Sequence, residues 1–192
     1  MDLFTIVTAR ADYELGALVI IDQTQLPERE VYLALKTPKE IWEAIYLLKV
    51  RGAPAIGVAA AYGISVCMQK VDEVGDFYRE FARVKNYLAS SRPTAVNLFT
   101  ALERMEVALL KCQGAGVEVL KQVLREEAEA IRKEDAAACR KIGEHGLSLL
   151  KPGMGLLTHC NAGASGGFGI RYGFGPDLFG TGTRIRFFGF CR

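Results

Sequence analysis

Gly155-Leu156-Leu157-Thr158-His159-Cys160-Asn161-Ala162-Gly163 is the stretch whose reading decides the fold. Its first five residues form a short apolar run set off by the turn Lys151-Pro152-Gly153, which predicts a buried strand over 155–159. The small residues that follow Cys160 predict a loop. Ahead of the strand, from about Val117 to Leu150, Glu alternates with Lys and Arg as on a solvated helix face, with a bend expected near Gly143. A long helix, a strand and a small-residue loop, in that order, open an α/β domain. In such a domain ligands bind beyond the carboxyl ends of the strands, which is where Cys160 falls.

Working back from that stretch, Gln113-Gly114-Ala115-Gly116 reads as a linker and the domain boundary. Residues 1–115 are expected to form a small domain of strands and helices. Leu18-Val19-Ile20-Ile21 and Val31-Tyr32-Leu33-Ala34-Leu35 predict strands separated by a turn at Gln25-Leu26-Pro27-Glu28. Thr37-Pro38-Lys39-Glu40 predicts a helix start with a capping box, and the helix is expected to reach Val50 with Ile41, Ala44, Ile45 and Leu48 on its apolar face. Arg51-Gly52-Ala53-Pro54 breaks it, and Pro54 is expected to start a second helix. From Ile56 to Met68 that helix is small and apolar nearly all round, so it is predicted to be buried. Further helices are expected over 77–88 and 95–111, the latter capped by Thr94 after the break Ser91-Arg92-Pro93-Thr94. Trp42 and the Tyr and Phe residues follow helix faces and are expected to pack in the core.

Working forward, the chain changes character after Gly163. Nine of its twenty glycines fall in the last thirty residues, which hold one acidic residue, Asp177, and no lysine. This stretch shows neither helical nor strand period. The fold class expected is therefore mixed α/β. A strand-plus-helix domain spans 1–115, the long helix and first strand of a truncated Rossmann-like domain span 116–163, and an atypical tail spans 164–192. We expect the tail to be disordered or to reflect a reading-frame change close after Gly163. The strand before Cys160 would then lack neighbouring strands, and its open edges would invite aggregation.

The 192 residues carry 24 basic and 22 acidic side chains, a net charge of +2. That balance gives no reason to expect nucleic acid or an anionic membrane as partner. The N-terminus lacks the basic and apolar regions of a signal peptide, and the most apolar stretch is too short to span a bilayer. The five cysteines, Cys67, Cys112, Cys139, Cys160 and Cys191, are odd in number and widely spaced, which fits a reduced, cytoplasmic protein and not a zinc or disulfide framework.

Chemistry concentrates at three breaks. In two of them an arginine, Arg51 or Arg92, stands just before a helix start, where free N–H groups and a guanidinium together suit a phosphate. Taken singly, either arginine reads as a surface residue flanking a turn. Gly52 and Ala53 suit the close approach of a ligand and suit a tight interhelical turn equally. Cys160 reads locally as a buried structural cysteine, and His159, its strand neighbour, points to the opposite face.

Four blocks in order lift these alternatives: Ile21-Asp22-Gln23-Thr24-Gln25-Leu26-Pro27, Val50-Arg51-Gly52-Ala53-Pro54-Ala55-Ile56-Gly57-Val58-Ala59-Ala60-Ala61-Tyr62-Gly63, Ser91-Arg92-Pro93-Thr94-Ala95-Val96-Asn97-Leu98 and Thr158-His159-Cys160-Asn161-Ala162-Gly163. Together they resemble the methylthioribose-1-phosphate isomerase family, which is related to the regulatory subunits of translation initiation factor 2B. The resemblance runs from residue 1 to about 163. It implies an aldose–ketose isomerase of methionine salvage that forms methylthioribulose 1-phosphate without metal or organic cofactor. Arg51, Gly52, Ala53 and Arg92 would then touch substrate, and Cys160 would be catalytic.

The family's partner aspartate falls beyond this sequence, so the chain is expected not to turn over substrate as it stands. The full-length form is expected to be a homodimer. The resemblance leaves open a regulatory protein of the initiation factor type and a sibling isomerase acting on ribose 1,5-bisphosphate.

Overall fold

The computed structural model describes residues 8–149, Lys151 and the strand segments 155–158 and 186–189. The chain opens with β1 (Ala9–Asp12), β2 (Ala17–Ile21) and β3 (Tyr32–Leu35), an antiparallel sheet in the order β1-β2-β3. The register pairs Arg10 with Val19 and Ile20 with Leu33. Every residue of β2 is buried, as a central strand covered on both faces must be. β1 was not foreseen. Ala9-Arg10-Ala11-Asp12 has no β-branched or aromatic residue, and its strand conformation comes from pairing with β2. Gly16, at φ 61, and the Asp12 carboxylate, which accepts from Leu15 N at 3.0 Å, close the hairpin.

α1 (Pro38–Tyr46) starts on the expected capping box. Thr37 Oγ1 accepts from Glu40 N at 3.2 Å, and Glu40 Oε2 accepts from Thr37 N at 2.9 Å. The helix stops at Tyr46 and not at Val50. Leu48 turns left-handed at φ 58, and the N–H groups of Lys49 and Val50 both fold back onto Ala44 O. That reversal buries Val50 and fixes the residue before Arg51.

α2 (Ala53–Met68) lies at the centre, buried from Ala55 to Met68. It packs against α1, the sheet, α3 (Val74–Ala89), α4 (Val96–Leu110) and α5 (Val117–Leu147). Small residues permit this crowding. A Cβ on Gly63 would meet Ile41 Cγ2 at 3.0 Å, and one on Gly57 would meet the main-chain oxygen of Asn97 at 2.7 Å. The fully buried Ile41, Ile45, Ile64, Phe77, Leu88 and Leu102 form the core around it, each contributing about 1.5–3 kcal/mol. The first half of α5 joins the same core through Leu120, Leu124 and Ala128.

α2 and α5 run antiparallel, since Tyr62 donates to Glu129 and Arg125 to Gln69. The short link from Lys111 to Gly116, with Gly114 at φ 87, makes α4 and α5 antiparallel as well. α2 and α4 therefore run parallel, with their N-termini at one end.

β4 (Gly155–Thr158) is a strand, as expected. It pairs in parallel with β5 (Arg186–Gly189), Leu156 opposite Phe187. This corrects two expectations, that the tail has no strand and that β4 has no neighbour. Arg186-Phe187-Phe188-Gly189 carries two adjacent apolar aromatics, which suit a strand flanked by another. Among the described residues no helix is long and apolar enough to cross a membrane.

Candidate active site

The site is built on two helix starts. Gly52 precedes α2 at φ 94 and ψ 131, a conformation that a residue with a Cβ rarely adopts. This conformation accounts for a glycine at the turn and is compatible with the close approach of a ligand. Ile56 N closes the first turn onto Gly52 O at 3.0 Å, and Pro54, inside the first turn, has no N–H to offer. The Ala53 N–H is left without an intrahelical acceptor at an exposed residue.

The second start lies beside the first. Arg92 O accepts from Ala95 N at 3.1 Å, and Ala95 O accepts from Leu98 N at 2.9 Å. The residue that begins α4 is thus Ala95, without a side-chain cap. Thr94 is not the cap that the sequence suggested, because Ala95 already holds that position. The N–H groups of Val96 and Asn97 have no intrahelical acceptor and lie at the positive end of the helix dipole.

The parallel packing of α2 and α4 brings Arg51, Gly52 and Ala53 to the same end as the turn that holds Arg92. Gly57 against Asn97 sets the spacing of the two starts. Arg51 and Arg92 are each half-buried, and neither guanidinium has an ion pair or hydrogen bond among the described residues. Most other arginines among the described residues are engaged, as Arg104 is with Glu127 and Glu134, Arg125 with Gln69, and Arg132 with Glu129. Cys160 and His159 lie outside the described residues.

A cleft of about 320 Å³ opens between the first turns of α2 and α4 and the later part of α5. Pro54 and Asn97 line it, a pair that sequence reading did not single out as functional. Glu134 and Asp135 line its α5 wall. Arg104 lines it as well and is ion-paired with Glu134, so the cleft carries charges of both signs. The hydrogen bond from Arg104 holds the Glu134 carboxyl below its ordinary range, so Glu134 is anionic there at neutral pH. The open helix starts offer an anion main-chain N–H groups and the positive ends of two helix dipoles. Among the described residues no group of three or more His, Cys, Asp or Glu is placed to hold a metal.

Comparison with known proteins places this architecture. The methylthioribose-1-phosphate isomerase of Parabacteroides distasonis is 59% identical over 156 residues, 80% of this chain and 47% of the relative. The 5-deoxyribose 1-phosphate isomerase of Petrotoga mobilis is 53% identical over 169 residues, covering 86% of this chain and 49% of the relative. The crystal structure of translation initiation factor eIF-2B subunit delta from A. fulgidus superposes with a TM-score of 0.80 at 36% identity, over 96% of this chain and 54% of that one. The chain thus spans about half the length of the relatives it matches. A sequence model of the Initiation factor 2 subunit family matches residues 49–172, from just before Arg51 to beyond Cys160. With most of its length inside that match, the chain belongs to the Initiation factor 2 subunit family.

Proposed function

We propose that the chain carries the sugar-phosphate half of an aldose–ketose isomerase site, acting on S-methyl-5-thioribose 1-phosphate. The observation that carries the reading is the pair Arg51 and Arg92 at the adjacent starts of α2 and α4, neither with a side-chain partner among the described residues. The 59% identity to a methylthioribose-1-phosphate isomerase supports it. Arg51 and Arg92 would grip the phosphate, with Gly52 and Ala53 giving it main-chain access.

The chemistry explains the rest of the proposal. A phosphate on the anomeric oxygen prevents the sugar from opening as an ordinary aldose does. The ring must open with help from an acid, and hydrogen must then move between C2 and C1. Cys160 is proposed as one member of that acid–base pair, such groups contributing about a hundredfold to ten-thousandfold each. No cofactor is needed for such an isomerisation. A small phosphorylated sugar is the proposed partner, in the cytoplasm and without nucleic acid or membrane, with the full-length form a homodimer.

The resemblance to initiation factor eIF-2B subunit delta supports a second reading, a regulatory protein with no sugar-phosphate site. Incubating the chain with methylthioribose 1-phosphate separates the two. Phosphorus NMR follows formation of the ketose phosphate, and calorimetry follows binding. Binding without turnover fits a chain that supplies Cys160 alone, and turnover abolished by Cys160→Ser fits the whole site. Neither binding nor turnover overturns the isomerase reading and favours the regulatory one.

A further inference from the structure

Two rigid pieces of chain present the arginines, and one side-chain hydrogen bond joins them. On the first piece, Trp42 sits in α1, and the segment after it folds back so that Lys49 N and Val50 N both bond to Ala44 O. Val50 is buried, so the position of Arg51 is fixed relative to Trp42. On the second piece, Ser90 N bonds to Asn86 O and Ser91 N to Leu88 O. Ser91 Oγ also donates to Leu88 O at 2.6 Å, and Arg92 O accepts from Ala95 N. Arg92 is therefore fixed relative to Ser90. Between the pieces, Trp42 Nε1 donates to Ser90 Oγ at 2.9 Å, and Ser90 Oγ in turn donates to Tyr87 O at 2.7 Å. The Trp42 ring stacks on Tyr46 at 4.7 Å and on Tyr87 at 6.0 Å, which holds its N–H on this line.

The core does not require this bond. Trp42 is only half-buried and Ser90 is exposed, so an indole N–H and a hydroxyl there would both be satisfied by water. The bond does tie α1, which leads to the Arg51 segment, to the end of α3, which leads to the Arg92 turn. The two segments are thus linked twice, by Gly57 against Asn97 on the α2–α4 side and by Trp42 with Ser90 on the α1–α3 side.

We propose that Trp42 and Ser90 are positioning residues that hold Arg51 and Arg92 at the spacing one phosphate requires. The proposal rests on the sugar-phosphate reading above. Its test is calorimetric titration of the chain with methylthioribose 1-phosphate, run on the parent, Trp42→Phe, Ser90→Ala, their double variant and Ser90→Thr, with Arg51→Ala alongside. Trp42→Phe and Ser90→Ala should each raise Kd about threefold to tenfold, the range expected for one hydrogen bond. The double variant should be no worse than the weaker single, because both remove the same contact. Ser90→Thr keeps the hydroxyl and should bind within about twofold of the parent. Thermal melting checks that the variants remain folded.

Affinities of Trp42→Phe and Ser90→Ala equal to the parent, with Arg51→Ala weakened, overturn the brace and leave the site standing. Additive losses in the double variant also overturn it. A parent that does not bind, or an Arg51→Ala variant that binds like the parent, overturns the site reading and the brace with it.

Discussion

Gly57→Ala is the substitution whose outcome the packing fixes most directly. The new methyl would stand 2.7 Å from the main-chain oxygen of Asn97 and 3.3 Å from its carbonyl carbon, against 3.5 Å from Ala101 Cβ. The first of these falls about 0.7 Å short of ordinary van der Waals contact, and the neighbour is backbone and cannot rotate away. Helix α4 must therefore shift, at an overpacking cost of about 1–3 kcal/mol. Alanine in place of glycine within a helix returns about 1 kcal/mol. The net change is a loss of up to about 2 kcal/mol. Gly75, in the first turn of α3, meets nothing within 4 Å and gives the matched control, since Gly75→Ala gains propensity without overlap. Urea or thermal unfolding of the two variants beside the parent reads the difference, at about 2–4 °C in Tm per kcal/mol for a chain of this size. Gly57→Ala should melt below the parent and Gly75→Ala at or above it. A Gly57→Ala variant as stable as Gly75→Ala refutes the close α2–α4 contact, and with it the spacing of the two helix starts.

Burial pushes the Cys67 thiol up to about 11, so iodoacetamide at pH 8 should label half-buried Cys112 well before Cys67; mass spectrometry showing both modified at equal rates would contradict this. Hydrogen bonds from Arg132 and Arg104 hold the Glu129 and Glu134 carboxyls below their ordinary value of 4.5. The stability these carboxylates add is therefore present above about pH 4.5 and is lost as the pH falls through their lowered folded values, so Tm should decline below that pH; a Tm unchanged at pH 3 would refute the pairing. Tyr62→Phe removes the donor to Glu129 and should cost about 1 kcal/mol by urea unfolding, with no loss at all counting against the α2–α5 link.

Local chemistry made most of the elements from β2 to α4 legible. The Thr37–Glu40 capping box, the apolar circumference of α2 and the β-branched run of β2 each carry their signal within a few residues. Features fixed by distant partners were not legible. β1 is a strand because β2 lies beside it, and α1 ends early because Lys49 and Val50 reach back to Ala44. β5 was hidden in a glycine-rich tail whose composition concealed its pairing with β4. At the site, Arg51, Gly52 and Arg92 stood out because they punctuate helices. Their lying at one end follows from the parallel packing of α2 on α4, where Gly57 meets Asn97, a contact between residues 40 positions apart that no local pattern announces.

The most direct test of a shared phosphate is a double-mutant cycle on Arg51 and Arg92, read as the Kd of the chain for methylthioribose 1-phosphate. If both guanidiniums grip one phosphate, Arg51→Ala and Arg92→Ala should each weaken binding about tenfold to a hundredfold, as charge-assisted contacts do. The double variant should then lose less than the product of the two, since residues on one ligand group are coupled. An unchanged Kd in either single variant, or strictly multiplicative losses in the double, would mean that the two arginines do not serve one phosphate.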